Sequence, residues 1–239
     1  PYRLIGLKAQ PGRLRGLAGL TSPMVGRDAE LAALLQLSQN VSQGRGGVAV
    51  IIGEAGLGKS RLVTEWKTAM ISSTVRLRWV EGHCLSYGQG LAYHLVLDLL
   101  RSLIGVAPMA DESQTRAALL KRIEDLFGET AQVYPYLGHL LSLQLEGAAL
   151  ERVRLLDPQA LQMQYLAALR QLLQAEAGHM PLVLIFEDIH WADPSSVELL
   201  SKLLPLTLTL PLLFCFITRP DRDAVGWRVV TAAADLPDA

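Results

Sequence analysis

The chain has 239 residues, of which 50% are hydrophobic and 19% charged, and its formal net charge is −1. This length and apolar content suit one α/β domain with a sizeable core, with or without an appendage. A charge so close to neutral excludes bulk electrostatic attraction to nucleic acid or to an anionic membrane, so we expect no direct nucleic-acid binding and no membrane attachment. The longest apolar stretch, 203–218, contains two prolines and is shorter than the ~20 residues that span a bilayer.

The two cysteines, Cys84 and Cys215, stand in neither a C-x-x-C nor any other metal-type spacing. They predict no disulfide framework and a reducing, cytoplasmic environment. The chain begins Pro-Tyr-Arg without an initiator Met or a signal peptide, which indicates a piece of a longer protein. Residues 1–22 are rich in glycine, proline and basic side chains without a helical or strand period. They predict a linker from an upstream domain, followed by one domain over 23–239.

The first half of that domain predicts alternating helices and strands. A helix with a leucine stripe begins at Asp28 and ends near Asn40. Val48–Ile52 is a β-branched run typical of a strand buried on both faces of a parallel sheet. A glycine-rich loop, 53–58, follows it and leads into a helix from Lys59 to about Ser73. Arg76–Val80 is predicted as the second strand.

The second half begins with a helical block over 91–177 and then returns to alternating strands and helices. The helices predicted within the block are Leu91–Ile104, Asp111–Phe127, Ala131–Leu143 and Asp157–Ala177. Strands are predicted at Leu182–Phe186, Leu212–Thr218 and, more briefly, Arg228–Ala232. Between the first two lies a helix, Pro194–Leu204, with Asp193 as its N-cap and proline at its first position. This order predicts a three-layer α/β sandwich with a mainly parallel sheet and a helical insertion.

The loop after the first strand carries the most specific motif in the chain. Its sequence is Gly53-Glu54-Ala55-Gly56-Leu57-Gly58-Lys59-Ser60, which fits G-x-x-x-x-G-K-[ST]. Glycines allow successive backbone N–H groups to point at phosphates, and the following helix aims its positive end at the same anions. Lys59 is placed to reach the β- and γ-phosphates, Ser60 to ligate Mg²⁺, and Arg61 lies beside them in the first helical turn. The alternative is a glycine-rich turn with a chance lysine, which the strand before and the helix after disfavour.

An acidic pair, Glu187-Asp188, ends the apolar strand Leu182–Phe186. Acids at the carboxyl end of such a strand face the ligand side of an open α/β sheet. One carboxylate can hold Mg²⁺ together with Ser60, directly or through water, and the other can polarise an attacking water. We therefore predict Glu187 and Asp188 as metal ligands and, with Lys59, as catalytic residues. The alternative is a solvated strand end without a catalytic role.

Two further segments are weaker candidates. Thr218-Arg219 ends the next strand, where a polar and basic pair can contact the γ-phosphate, and Arg219 joins the predicted catalytic set. Its alternative is a surface arginine in a turn set by Pro220. Val25-Gly26-Arg27 precedes the first helix and is predicted to pack against the base or ribose. Its alternative is the turn that begins that helix.

Taken together, these motifs resemble a known group of proteins. The residues Val25–Glu30, the loop 53–60, Phe186–Asp193 and Thr218–Pro220 are similar to the AAA+-like ATPase domain of STAND signalling NTPases. The similarity is greatest to the version in bacterial multidomain regulators, where it accompanies nucleotidyl cyclase, kinase or LuxR-type DNA-binding domains. The segments 82–88 and 91–93 also look like that version. The resemblance extends from about Ser22 to Asp221.

The resemblance implies a five-stranded core in which the strand ending at Thr218 lies between the other two motif strands. Glu187 then takes the position of the metal-linked acid, Asp188 that of the water-activating acid, and Arg219 that of the sensor-1 arginine. Glu-Asp departs from the commoner Asp-Asp or Asp-Glu, which leaves open which acid does which task. The chain stops at Ala239, before the helical lid and winged helix of the family, and no arginine finger can be identified. Weak hydrolysis is therefore the expectation for this chain alone.

The function that follows is an ATP-dependent switch module. ATP with Mg²⁺ is preferred over GTP because of the resemblance, and no N-K-x-D motif follows the acidic strand. The expected partners are the nucleotide and other domains of the same protein, with self-association on ATP binding left open. Two alternatives remain at this point: a nucleotide-binding scaffold without turnover, and a small-molecule kinase.

Overall fold

The computed structural model describes residues 24–237, with the exception of 87, 89, 108 and 129–131. The predicted linker over 1–22 lies outside this range. The strands of the described part are β1 Gly47–Ile52, β2 Arg78–His83, β3 Leu182–Glu187 and β4 Leu212–Thr218. Its α-helices are α1 Asp28–Ser42, α2 Lys59–Ile71, α3 His94–Leu103, α4 Glu112–Phe127, α5 Tyr134–Leu140, α6 Gly147–Arg154, α7 Pro158–His179, α8 Pro194–Leu203 and α9 Trp227–Ala234.

All strands pair in parallel, in the order β1-β4-β3-β2, which confirms the predicted α/β class. As the resemblance implied, β4 lies between β1 and β3. The register brings the carboxyl ends level, because Ile52 pairs with Thr218 and His83 pairs with Glu187. The loops that follow these ends therefore meet along one edge of the sheet.

The expected fifth strand is wrong for the residues that the structure describes, which form a sheet of four strands. Arg228–Ala232, predicted as a short strand, lies instead in helix α9. Its valines and threonine favour a strand locally, but Val229 and Ala233 are buried one helical turn apart, and α9 packs on α8. The alanines at 232–234 favour the helix as well. Tertiary packing and the alanine run together outweigh the β-branched residues.

Strand β2 runs from Arg78 to His83 rather than over the predicted Arg76–Val80, and helix α3 covers its outer edge. The backbone N–H of His83 donates to Asp98 Oδ2 (2.8 Å), and that of Glu81 donates to Ser102 Oγ (3.4 Å). Residues four apart on a helix rise about 6 Å, and residues two apart on a strand rise about 6.6 Å. The two spacings match, so α3 occupies hydrogen-bonding groups that an edge strand otherwise exposes.

The sheet lies between two helical layers, each with its own apolar core. On one face α1 and α2 pack together, and the fully buried Trp66 donates from Nε1 to Ser38 Oγ (2.7 Å). On the other face Phe186 stacks with Phe214 and Phe216 at centroid distances of 5.7 and 5.0 Å. This second core continues into the helical block.

The block contains α3 to α7, including a helix, α6, that sequence patterns did not predict. A buried ion cluster anchors it to the sheet. The side chain of Glu176 on α7 is 1% exposed and pairs with Arg78 of β2 and Arg122 of α4. Arg122 Nε lies 2.7 Å from Glu176 Oε1. Among the described residues, no helix combines the length and apolar character needed to cross a membrane.

Candidate functional site

The glycine loop connects β1 to α2 at the carboxyl edge of the sheet. The N–H of Gly53 donates to the carbonyl of Thr218 (3.2 Å), which fixes the start of the loop against β4. Gly56 and Gly58 have φ of 82° and 78°, a left-handed conformation that side chains with a Cβ rarely adopt. A Cβ at either position would meet no atom within 4 Å. The backbone conformation, rather than space, therefore requires glycine here.

Lys59, the first residue of α2, extends back over the loop. Its Nζ donates to the carbonyls of Gly53 (2.7 Å) and Glu54 (2.9 Å). Both acceptors are neutral, so they do not cancel the ammonium charge. An anion held in the loop would compete for the same donors with a full charge, which makes a stronger hydrogen bond.

Ser60 brings the loop to the acidic strand. Its Oγ lies 3.5 Å from Oε2 of Glu187, the last residue of β3. Burial raises the pKa of the Glu187 carboxyl, and the charge of Asp188 adds to the rise. A hydroxyl and a carboxylate that converge in this way suit Mg²⁺, which takes one or two protein oxygens and leaves its other positions to phosphate and water. The predicted metal residues Ser60 and Glu187 therefore fit the ion, whose charge would offset the cost of the partly buried carboxylate.

Asp188 follows in a left-handed conformation, with φ 55° and ψ 41°, and its side chain is 52% exposed. Its Oδ1 lies 4.0 Å from Nδ1 of His190, whose side chain is buried. Burial lowers the pKa of the His190 imidazole, while the charge of Asp188 opposes that change. The two acids therefore differ in environment: Glu187 is turned toward α2 and Ser60, and Asp188 toward solvent and His190.

The predicted pair at the end of β4, Thr218-Arg219, has one buried and one exposed residue. Arg219 is exposed. Burial is the main cause of the lowered pKa of the His190 imidazole, and the positive charge of Arg219 lowers that pKa further, while Asp188 opposes the change. Thr218 is 1% exposed, and its hydroxyl has no hydrogen-bond partner among the described residues. A buried hydroxyl without a partner costs about 1–3 kcal/mol. The sequence predicted Thr218 only as the partner of Arg219 in a pair that contacts the γ-phosphate, and placed Arg219 alone in the catalytic set. The buried hydroxyl, unpartnered within the described part of the chain, makes Thr218 a site candidate in its own right.

The segment before α1 lies against the glycine loop. Arg27 donates from its guanidinium to the carbonyl of Leu57 (3.3 Å) and pairs with Glu30 (2.6 Å). Val25 is 84% exposed and Leu57 52% exposed, so both present apolar surface beside the loop. Arg61, by contrast, extends along α2 and bonds Glu65 (3.0 Å).

The structure thus brings most of the predicted residues to one edge of the sheet. Val25–Arg27, the loop 53–60 and the pair Glu187-Asp188 adjoin one another there. A parallel α/β sheet with this loop between its first strand and helix, and acids ending a neighbouring strand, defines the class of P-loop nucleoside triphosphatases. The AAA ATPase domain family matches residues 23–216, and the chain belongs to this family.

Two known proteins illustrate the range of similarity. A protein of Rhizobium meliloti (strain 1021), described as uncharacterised, is 29% identical over 221 residues, which cover 92% of this chain and 21% of that protein. The chain thus spans about a fifth of the length of that relative. The crystal structure of Cdc6p from Pyrobaculum aerophilum superposes with a TM-score of 0.46 at 12% identity, over 92% of this chain and 45% of the other. That similarity is too low to inform function.

Proposed function

We propose that this domain binds ATP with Mg²⁺ at the loop 53–60, hydrolyses it slowly and acts as a switch for an attached signalling domain. The observation that carries the proposal is the 3.5 Å approach of Ser60 Oγ to Glu187 Oε2. These residues belong to two motifs separated by 127 positions in the chain. A nucleotide site needs the glycine loop and the acidic strand end to lie side by side. Two motifs that matched by chance would not be expected to be in contact in the folded chain.

The loop and the start of α2 hold the phosphates. The backbone amides around Gly56 and Gly58 form a concave surface of donors, and the positive end of α2 adds to the attraction. Lys59 exchanges the carbonyls of Gly53 and Glu54 for phosphate oxygens, a gain in hydrogen-bond strength because the new acceptors are charged.

Ser60 and Glu187 hold Mg²⁺, which supplies neutralisation of phosphate charge when bound. The distance from Ser60 favours Glu187 over Asp188 as the metal-linked acid. Asp188 is then the residue that accepts a proton from, or orients, the attacking water, and its exposed carboxylate suits that role. His190 lies 4.0 Å from Asp188, and the charge of Arg219 acts on the same imidazole.

The base has an apolar surface available beside the loop. Val25 and Leu57 are both exposed there, and Arg27 ties their segments together through the Leu57 carbonyl. Adenine can cover such a surface without a guanine-specific acceptor, and the sequence offers no N-K-x-D motif. This arrangement supports ATP as the nucleotide.

The switch role is proposed from the resemblance to signalling ATPases, and the slow hydrolysis proposed above suits it. ATP favours one conformation of the parent protein, and hydrolysis returns it to the other. The partners in this proposal are the attached signalling domain, either a cyclase, a kinase or a transcription regulator, and a second copy of the domain on ATP binding.

Isothermal titration with ATP and Mg²⁺ tests the binding step. Lys59→Ala should weaken ATP binding at least about tenfold, since it removes a charged hydrogen-bond donor. Lys202→Ala is the matched control, because Lys202 pairs with Glu198 at the far end of α8 and should leave affinity unchanged. Equal ATP affinity in wild type and Lys59→Ala would refute the proposed site.

Single-turnover reactions with γ-labelled ATP test the chemistry. We expect labelled free phosphate, formed more slowly in Asp188→Asn than in wild type. Equal rates in the two proteins would exclude a catalytic role for Asp188. No labelled phosphate from the wild type would favour a scaffold without turnover. Label transferred to another acceptor would instead indicate a kinase.

A further inference from the structure

Asp193 caps two helices at once. Its Oδ1 accepts from the backbone N–H of Ser196 (2.9 Å) in α8 and from that of Tyr93 (2.8 Å) at the start of α3. Its Oδ2 lies 3.5 Å from the N–H of Leu95. The carboxylate is buried, with Asp193 1% exposed. One side chain therefore satisfies amides at the amino ends of two helices that are about 100 residues apart in sequence.

Ser196 reinforces this connection. Its Oγ accepts from the N–H of Val96 (3.2 Å), the third residue of α3. Helix α3 has no side-chain cap of its own, because its N-cap residue is Tyr93 in a left-handed conformation. The first turn of α3 thus depends on acceptors that the first turn of α8 provides.

The segment Glu187–Asp193, here called the acid turn, is held at both ends. At its start the carbonyl of Glu187 accepts from the N–H of Cys84 (3.1 Å). At its end Asp193 is bound to α3, and α3 in turn holds His83 through Asp98. The strand β2, the helix α3 and the acid turn are therefore linked in a closed ring of hydrogen bonds, and the two acids lie in the acid turn.

Helix α9 restrains the acid turn from another side. A Cβ at Gly226, the residue before α9, would overlap the carbonyl oxygen of Ile189. Only glycine permits this approach, so the backbone of the acid turn is in direct contact with the start of α9. Within the turn, Trp191 N–H donates to the carbonyl of Asp188 (2.9 Å).

Asp188 has φ 55° inside this frame. L-residues rarely occupy that region, and a non-glycine residue stays there when the surrounding structure determines its conformation. We propose that Asp193 is a positioning residue for Asp188: by capping α3 and α8 together, it fixes the acid turn in the shape that aims the Asp188 carboxylate. This inference rests on the proposed function, in which Asp188 acts on the attacking water.

The chain offers a matched control for the test. Asp157 is also followed by proline and also caps its helix, accepting from the N–H of Ala160 (2.8 Å). It is exposed and begins α7, away from the acid turn. Asp157→Asn and Asp193→Asn make the same chemical change at two Asp-Pro caps, and only the second touches the acid turn.

The full chain is compared with Asp193→Asn, Asp157→Asn, Asp188→Asn and the double variant at 188 and 193. We expect Asp193→Asn to slow single-turnover ATP hydrolysis at least about tenfold, because small displacements of a catalytic group are costly. Its affinity for ATP and Mg²⁺ should stay within about threefold of wild type, since the loop 53–60 is untouched. Asp157→Asn should match the wild-type rate. The double variant should be no slower than Asp188→Asn, because Asp193 acts through Asp188.

Either of two kinetic results would overturn the inference. One is Asp193→Asn hydrolysing ATP as fast as Asp157→Asn. The other is the double variant being slower than Asp188→Asn by the full factor seen for Asp193→Asn alone, since Asp193 would then act independently of Asp188.

A measurement without turnover separates this inference from the proposed function. The chain contains four tryptophans, and one of them, Trp191, lies in the acid turn, so ¹⁹F spectra of 5-fluorotryptophan protein report its geometry once Trp191→Phe has assigned the signal. Asp193→Asn should move the Trp191 signal and Asp157→Asn should not. An unmoved signal overturns the inference whatever the hydrolysis rates are. A moved signal in a protein whose wild type hydrolyses no ATP refutes the catalytic function and supports the structural link.

Ser196→Ala provides a milder variant in case Asp193→Asn fails to fold. It removes the acceptor of Val96 and leaves the Asp193 carboxylate in place. We expect a smaller displacement of the Trp191 signal and a smaller loss of hydrolysis rate. Wild-type values for both would count against the inference.

Discussion

The hydroxyl of Ser60 and the carboxylate of Glu187 lie 3.5 Å apart at the carboxyl edge of the sheet. Ser60 stands in the first turn of α2, and Glu187 ends β3 on the sheet face that α2 covers. The strand order makes this contact possible: only β4 lies between β1 and β3 in the described sheet, so α2, which follows β1, reaches the end of β3. The pair is the structural basis for the cation in the proposed site.

The first prediction concerns that cation. Ser60→Ala and Glu187→Gln should each reduce by about tenfold the gain in ATP affinity that Mg²⁺ provides, since each removes one protein oxygen from the ion. The measurement is isothermal titration of ATP with Mg²⁺ and with EDTA. Ser72→Ala, at the other end of α2, is the control and should keep the full Mg²⁺ effect. An undiminished Mg²⁺ effect in both variants would place the ion elsewhere.

The second prediction concerns the left-handed loop glycine. Gly58→Ala should destabilise the protein by about 1 kcal/mol, because φ 78° is strained for a residue with a Cβ. It should also weaken ATP binding by turning loop amides away from the phosphates. Gly178→Ala is the comparison: Gly178 lies within α7 with open space around it, so alanine should stabilise by about 0.5–1 kcal/mol. Urea denaturation measures both, and equal effects of the two substitutions would contradict the loop geometry.

The third prediction concerns the buried ion cluster. The Glu176 side chain is 1% exposed and its two arginine partners are each 25% exposed. Glu176→Gln should lower the free energy of unfolding by about 3 kcal/mol, because it leaves two partly buried guanidinium groups without their anion. Glu151→Gln, whose side chain is 55% exposed, should change it by less than about 0.5 kcal/mol. Similar urea midpoints for the two variants would show that the cluster contributes no stability.

The fourth prediction gives opposite signs for stability and function. Thr218→Val removes a buried hydroxyl that has no partner among the described residues, so the nucleotide-free protein should gain about 1 kcal/mol. ATP hydrolysis should fall, because the sequence predicts that Thr218 contacts the γ-phosphate together with Arg219, and valine cannot make that hydrogen bond. Thr207→Val is the control: its hydroxyl donates to the Leu204 carbonyl (2.8 Å), and its loss should cost about 1 kcal/mol. Loss of stability in Thr218→Val, or hydrolysis at the wild-type rate, would contradict the assignment.

Several features of the fold could be predicted from local sequence. Leu212–Thr218 was predicted with its observed bounds, since a run of apolar residues between Pro211 and Arg219 has few other conformations available. The Asp193 cap of α8 was predicted for the same local reason, because Asp followed by Pro suits the start of a helix. The strand predicted at Arg228–Ala232 failed because packing on α8 and the alanines after it decided its conformation.

The contacts that complete the candidate site could not be predicted this way. Arg27 meets the Leu57 carbonyl across 30 residues, and Asp193 meets the N–H of Tyr93 across 100. A local pattern contains no information about partners at such separations, and the helical block intervenes between the two motif strands. The packing of α1 on α2 brings Arg27 to Leu57, and the packing of α3 against both β2 and the acid turn brings Tyr93 to Asp193.

The sequence by itself determined the glycine loop and the presence of two acids after a buried strand. Both follow from short-range effects: glycine tolerates positive φ, and a strand of apolar residues ends where charged ones begin. The tertiary structure decided which acid faces Ser60. Alternate residues of a strand lie on opposite faces of the sheet, so the register of β3 and the packing of α2 turn Glu187 toward Ser60, and the acid turn directs Asp188 away.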